Sequence, residues 1–321
     1  MRILIALGGN AIIRAGERGT WSEQQANVLE AARAVAALSH AGHEVVLAHG
    51  NGPQVGALAL QQASAEPEVP ALPFDALVAM TQGQIGYLLQ QAISAVDPAL
   101  PTATVLTRTR VAADDGAFAA PPTKPIGPFY EEADACRRAE ALGWVVGADA
   151  DRGWRRLIVS PRPVEVLEHA QIALLAEDGV LVIAGGGGGA PVVESANGPR
   201  GVEAVIDKDR CAAELAIQVH ADVLMLTTGV PCAALDYGTR WQRDLARLTV
   251  SDALRYLDRG DFPAGSMGPK IESGVRFVRS AGRAVITDPA HVVSALGADA
   301  GTWIVRDEDG PSSAAPRAAP R

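Results

Sequence analysis

Short apolar runs alternate along this chain with longer segments of helical period, a rhythm that predicts a parallel sheet covered by helices. Arg2–Leu7 reads as a first buried strand and Glu44–Ala48 as a second. Between them a helix opens at Ser22-Glu23-Gln24-Gln25 in a capping-box pattern, runs to about Ala41 and stops at Gly42. After the second strand, Gly50-Asn51-Gly52 makes a tight loop, and Pro53 suits the first turn of a further helix. Phe74–Val96 reads as a long helix and Thr102–Leu106 as a strand.

From about 112 to 163 the texture changes. Prolines cluster, Trp144 and Trp154 enter, and short strands flank a small helix at Glu131–Leu142, as expected of an inserted subdomain. The rhythm then resumes with a helix at Val166–Glu177 and a strand at Val180–Ala184. A second block carries helix Lys208–His220, strand Asp222–Leu226, a short strand near Ala233–Tyr237 and helices Ser251–Arg259 and Lys270–Ala281. Strands at Ala284–Thr287 and Thr302–Val305 close it. We expect an N-terminal lobe over 1–200 that holds the insert, a C-terminal lobe over 201–306, and a disordered tail over 307–321, where periodicity is lost. No internal repeat is visible.

Composition narrows the function. A hydrophobic share of 48% with 20% charged residues is ordinary for a globular chain able to bury a large core. The net charge of −9 argues against general nucleic-acid binding. Cys136, Cys211 and Cys232 are scattered without metal spacing, which fits a reduced, cytoplasmic setting. The apolar start at Met1–Leu7 is cut by Gly8-Gly9-Asn10, against a cleaved leader, and no stretch is apolar and long enough to span a bilayer.

Three glycine-rich turns each follow a predicted strand: Gly8-Gly9-Asn10, Gly50-Asn51-Gly52 and Gly185–Gly189. At the C-terminal ends of strands in an α/β sheet, such turns let bare backbone N–H groups approach an anion. Gly185–Ala190 formally fits a dinucleotide fingerprint, but Pro191-Val192-Val193 reads as extended where that fingerprint needs a helix. A P-loop, a zinc-protease motif and a nucleophile elbow are all missing from the sequence. His49, beside the second turn, reads as structural.

Among 28 basic side chains only Lys124, Lys208 and Lys270 are lysines. Lysine supplies a compact, mobile point charge where arginine supplies a flat fork, so these three mark positions that need an ammonium. Phosphoryl transfer uses such groups, because its chemistry is mainly positioning and charge neutralisation. Lys208 lies between Asp207 and Asp209 at a helix start; either aspartate could cap the helix, orient the lysine or reach magnesium. Lys270 also opens a predicted helix, an unfavourable place for a cation unless an anion shares it.

In order along the chain, Ala6–Ala11, His49–Gly56, Ala79–Tyr87, Pro122–Phe129, Gly153–Arg156, the 185–189 glycines, Gly201–Asp209 and Gly265–Glu272 together resemble the carbamate kinases of the amino-acid-kinase family. The resemblance implies a three-layer αβα sandwich with a mainly parallel sheet and an inserted subdomain. It implies reversible transfer between carbamoyl phosphate and ADP, giving ATP and carbamate, in ATP-forming breakdown of arginine or another carbamoyl compound. Gly8, Gly9, Asn10, Gly50, Asn51 and Gly52 would cradle carbamate or carbamoyl phosphate. Lys124 would reach in from the insert, Lys208 and Lys270 would neutralise the moving phosphoryl group, and Asp207 or Asp209 would hold the lysines. Adenine of ATP or ADP would lie near Thr227, Thr228, Gly229, Val230, Tyr237 and Met267. Mg2+ would be held mainly by the nucleotide phosphates, with no direct protein ligand, and the chain would form a homodimer. Pro231-Cys232 and Asp236 depart from the family pattern around the adenine. Carbamate is already an anionic nucleophile, which agrees with the lack of an evident general base. The alternatives are a kinase for another acyl phosphate such as acetyl phosphate, a silent sensor, and an oxidoreductase.

Overall fold

The computed structural model describes residues 1–314 other than 15, 67, 150–152 and 264, with side chains described except at Asn10 and Ala314. The chain begins with β1 (Arg2–Leu7), α1 (Trp21–His40), β2 (Glu44–His49), α2 (Gly52–Ala65), α3 (Phe74–Val96) and β3 (Thr102–Thr104). Next come β4 (Arg108–Val111), β5 (Lys124–Tyr130), α4 (Glu132–Leu142), β6 (Val145–Ala148), β7 (Trp154–Ile158) and β8 (Pro163–Val166). They lead to α5 (His169–Glu177), β9 (Leu181–Ile183), β10 (Ala190–Val193) and β11 (Arg200–Gly201). The second half holds α6 (Lys208–Gln218), β12 (Val223–Thr227), β13 (Ala234–Leu235), β14 (Arg243–Thr249), α7 (Val250–Asp258) and α8 (Met267–Ser280). It ends with β15 (Arg283–Thr287), α9 (Val292–Leu296), β16 (Thr302–Val305) and β17 (Ser313–Ala314).

The main sheet runs β13-β14-β16-β15-β12-β1-β2-β9-β3, with β17 added on β14. β1 lies at its centre, parallel to β2 and β12. Alternation along β1 sorts the core: Leu4 and Ala6 join the cluster under α5, α6 and α8, while Ile3, Ile5 and Leu7 join the one under α1, α3 and α9. A helical layer on each face makes the sandwich, and every parallel strand of its centre delivers a loop to one edge. No described helix is long and apolar enough to cross a membrane.

The insert is a three-stranded sheet, β5-β7-β6, backed by α4. It rests on α2 through two glycines; a Cβ on Gly56 would lie 1.9 Å from the Cα of Gly127. Only a pair without side chains allows this approach. The Arg156 guanidinium lies 4.9 Å from the Trp144 ring centre and 5.6 Å from that of Phe74, joining the insert to the start of α3.

Several expectations change. The capping box of α1 is made by Thr20 and Glu23, not by Ser22: Glu23 N donates to Thr20 Oγ1 (3.4 Å) and Thr20 N to Glu23 Oε2 (2.7 Å). Val166 ends a strand paired with Thr109, and α5 starts three residues later, at His169. β14 was not foreseen, because charged residues interrupt its apolar pattern. Part of the expected tail is structured. Asp307 accepts from Ser251 N (3.0 Å) and Ser251 Oγ (2.9 Å), and β17 covers the edge of β14. That pairing satisfies main-chain groups an edge strand would otherwise expose. Residues 315–321 of the expected tail lie outside the described residues.

Candidate active site

Two glycine loops and two helix starts meet at the C-terminal edge of the sheet. After β1, Gly8 leads into a 3-10 turn over Gly9–Ala11, and Gly8 N donates to Thr227 Oγ1 (2.9 Å). A Cβ on Gly8 would lie 2.9 Å from the Thr227 carbonyl oxygen, so this loop is pressed against the end of β12. After β2, Gly50-Asn51 leads into α2, with Gly52 and Pro53 in its first turn. The Asn51 side chain is buried and donates to Thr81 Oγ1 (2.8 Å), so it fixes the loop to α3. The Asn10 side chain lies outside the described residues.

The third glycine run acts as packing. Cβ atoms at Gly186, Gly187, Gly188 and Gly189 would meet His49, Asn51, Ile206 and Thr109 at 2.1–2.4 Å. The strand β10 follows it, not the helix a dinucleotide fold requires. The run lets the walls behind the second loop and α6 close up. His49 is buried with its Nδ1 3.0 Å from the Gly50 carbonyl oxygen. Burial, with a further contribution from Lys208, lowers its pKa to about 4, so it is a neutral ring that donates to Gly50.

Asp207 is the N-cap of α6. Its Oδ1 accepts from Asp209 N (2.9 Å) and Arg210 N (3.2 Å), and its Oδ2 takes the Lys124 ammonium at the start of β5. Lys208 Nζ donates to Asp209 Oδ1 (2.5 Å) and Lys270 Nζ to Asp209 Oδ2 (2.8 Å). The three lysines, distant in sequence, therefore converge on two adjacent carboxylates. Lys270 is the fourth residue of α8 and does not open it; Asp209 supplies the anion that its place near a helix start needs. A Cβ on Gly50 would lie 3.3 Å from Lys208 Cδ and 3.7 Å from Gly9 N, so both glycine loops border the cluster.

Three ammonium groups face two carboxylates, which leaves the cluster one positive charge in excess. Asp207 and Asp209 are buried, and Lys270 is only 7% exposed. Burial would raise the carboxyl groups, yet Lys124 holds Asp207 below its ordinary range, and Lys208 and Lys270 hold Asp209 far below. Burial lowers Lys208 to about 8 against the pull of Asp209, and Lys270 lowers it further. Lys270, which burial would also lower, is kept above its ordinary value by Asp209. The cluster is thus largely desolvated and carries excess positive charge beside the two glycine loops.

The predicted nucleotide residues spread along the same edge. Thr227 is fully buried and occupied with Gly8 and the Ala6 carbonyl oxygen. Thr228 and Gly229 border a cavity of about 340 Å³ together with Ala11, Arg14 and Asp288. Val230 is partly buried beyond them, and Met267 is half-buried at the start of α8. Tyr237 is exposed in the turn after β13, as is Trp241. Sequence reasoning missed Arg155, whose Nη2 would lie 3.8 Å from a Cβ on Gly52 and whose Nε donates to the Gly127 carbonyl oxygen. Its place in Gly153–Arg156 was a visible signal; its reach to the second loop was not.

The amino acid kinase family model matches residues 1–288. The carbamate kinase of Thermococcus kodakarensis is 46% identical over 316 residues, covering 95% of this chain and 99% of that protein. That of Halobacterium salinarum is 44% identical over 303 residues, covering 94% and 97%. Carbamate kinase from Giardia lamblia bound to AMP-PNP superposes with a TM-score of 0.86 at 40% identity, covering 95% of this chain and 98% of that one. The same enzyme bound to citric acid reaches a TM-score of 0.91 at 39% identity, with the same coverage. The chain therefore belongs to the amino acid kinase family, within the group formed by the carbamate kinases.

Proposed function

We propose that this chain transfers a phosphoryl group reversibly between carbamoyl phosphate and ADP, with carbamate and ATP as products. The observation that carries this reading is the convergence of Lys124, Lys208 and Lys270 on Asp207 and Asp209 beside the two glycine loops. In the ATP-forming direction an ADP β-phosphate oxygen attacks the phosphorus of carbamoyl phosphate. The new P–O bond forms as the P–O bond to the carbamoyl group breaks, and the electron pair leaves on carbamate. No proton must move, so the lack of a general base costs nothing. Lys208 and Lys270 share one carboxylate and can each turn toward phosphoryl oxygens as charge builds there. Asp209 keeps them charged despite burial, and Asp207 holds Lys124 over the same place.

Among the described residues no group of three or more His, Cys, Asp or Glu side chains could hold a metal ion. Asp207 and Asp209 are already occupied by ammonium and backbone N–H groups. Mg2+ would enter on the nucleotide phosphates and would supply charge neutralisation there. The nucleotide itself we assign to the edge formed by Thr228–Val230, Tyr237 and Met267. The reading includes a cytoplasmic homodimer working toward ATP. A coupled assay for ATP formed from ADP, magnesium and carbamoyl phosphate tests it, with acetyl phosphate in parallel. Equal or faster turnover on acetyl phosphate would move the assignment to another acyl phosphate; no ATP from either would end it.

A further inference from the structure

Two residues beyond each of the paired lysines stands a charged side chain outside the cluster: Arg210 after Lys208, and Glu272 after Lys270. Arg210 donates to Glu272 Oε2 from both Nε (3.2 Å) and Nη2 (2.8 Å). The other oxygen, Oε1, pairs with Arg162 Nη2 at 3.1 Å. Arg162 lies in the strand-to-strand connection by which the chain returns from the insert, between β7 and β8. Its backbone N donates to Asp115 Oδ2 (2.9 Å), and Asp115 Oδ1 accepts from Ala117 N (2.8 Å) on the outgoing connection. Asp115 thus joins the two passages of the neck, and Glu272 ties that neck to the first turn of α6 and the second turn of α8.

An isolated exposed pair contributes little, but a carboxylate shared between two guanidinium groups from separate segments is a geometric joint. Here the segments are those that deliver the three lysines: the insert with Lys124, α6 with Lys208 and α8 with Lys270. α6 and α8 are linked at Asp209–Lys270 inside the site, and again at Arg210–Glu272 on its outer side. Two links a short distance apart resist rotation of one helix against the other, which a single link permits. We propose that Glu272 is a positioning residue that locks the insert neck to α6 and α8, holding the three ammonium groups in one arrangement for phosphoryl transfer. The inference rests on the function assigned above for its effect on turnover, though not for its effect on the lysines.

Because only three lysines exist, each can be followed separately by competitive labelling with an amine-directed reagent and peptide mass spectrometry. Glu272→Gln, nearly isosteric and only partly buried, should raise the labelling rates of Lys124, Lys208 and Lys270 at pH 8 by at least about threefold. Arg162→Gln should raise Lys124 alone, and Arg210→Gln, which frees α6 from α8, should raise Lys208 and Lys270. In the ATP-forming assay Glu272→Gln should lower kcat at least about fivefold, with the ADP KM within about twofold and the melting temperature little changed. Unchanged labelling of all three lysines in Glu272→Gln overturns the proposal. So does altered labelling with wild-type kcat. If the unmodified chain makes no ATP, the assigned reaction fails while labelling still decides the role of Glu272.

Discussion

Asp209 binds Lys208 through one carboxylate oxygen and Lys270 through the other, at 2.5 and 2.8 Å. One buried anion therefore sets both the spacing and the charge of the two ammonium groups. Asp209→Asn would leave two buried cations without their bonded carboxylate and only Asp207 facing three ammonium groups, and breaking a buried pair in this way costs about 3–5 kcal/mol. We expect the urea unfolding midpoint to fall accordingly and turnover to collapse. An unchanged midpoint would mean that water already screens the cluster.

Lys208→Ala removes one of the two groups suited to the phosphoryl oxygens. Loss of comparable electrostatic contacts lowers turnover by at least about 100-fold, and the same is expected here. Lys270→Arg asks a different question, because the guanidinium keeps the charge but cannot act as a compact, rotating donor. Lys270 is 7% exposed, so the larger head must also displace its neighbours. Full activity in Lys270→Arg would show that any cation serves.

The pH dependence follows from Lys208, brought from its ordinary 10.5 to about 8 mainly by burial. Its ammonium form is lost as pH rises through that value, so kcat/KM should decline above about pH 8. Bound phosphate favours the charged form, so the alkaline limb of kcat should lie higher. Stability has the opposite sign over the same range. Between about 8 and 10.5 the unfolded chain holds a proton the folded one has released, so the Lys208 contribution rises with pH. Asp209 acts at the other end: its depressed pKa stabilises the fold above the ordinary 3.8, and that stabilisation is lost as pH falls below it. A kcat/KM profile flat to pH 10 would remove Lys208 from the rate-determining charge.

Gly50 and Gly9 make a matched pair of tests. A Cβ on Gly50 would sit 3.3 Å from Lys208 Cδ, while one on Gly9 meets nothing within 4 Å. Gly50→Ala should displace the Lys208 stem and lower kcat about tenfold or more, the result of a small misplacement at a reacting centre. Gly9→Ala should raise the substrate KM more than it lowers kcat, because its Cβ enters open space beside the second loop without touching a lysine. Equal effects from both would show that the loops respond as one flexible unit.

What was legible beforehand was local. The strand Arg2–Leu7 and the helix Phe74–Val96 have the bounds their apolar periods predict, because each buries a continuous stripe against its neighbours. Lys124, Lys208 and Lys270 stood out by chemistry alone. The long-range partners were hidden. Nothing near residue 124 announces Asp207, and nothing near 155 announces Gly52. The glycines at 185–189 resembled a ligand loop because close packing and anion binding both favour a residue without Cβ. β14 escaped because few of its positions are apolar and enclosed: only Leu245, Leu248 and Thr249 are buried there, among charged residues. The tie through Glu272 lay inside a recognised motif, but its partners come from segments 62 and 110 residues away.

Asp207 holds two roles on separate oxygens, and two substitutions can part them. Oδ1 caps α6, accepting from Asp209 N and Arg210 N, while Oδ2 holds Lys124. Asn at this position keeps a side-chain oxygen for the cap, since Asn and Asp cap helices about equally well, but removes the charge facing Lys124. Ala removes both, and loss of such a cap costs about 1 kcal/mol. Asp207→Asn should therefore lower the unfolding midpoint less than Asp209→Asn does, because Lys124 is partly exposed and water can take up its charge, while kcat falls because Lys124 loses its anchor over the site. Asp207→Ala should add a loss of stability with little further loss of kcat. If the two variants instead share one kcat and differ from the unmodified chain only in midpoint, the pairing with Lys124 plays no part in turnover, and the insert must present its lysine by backbone geometry alone.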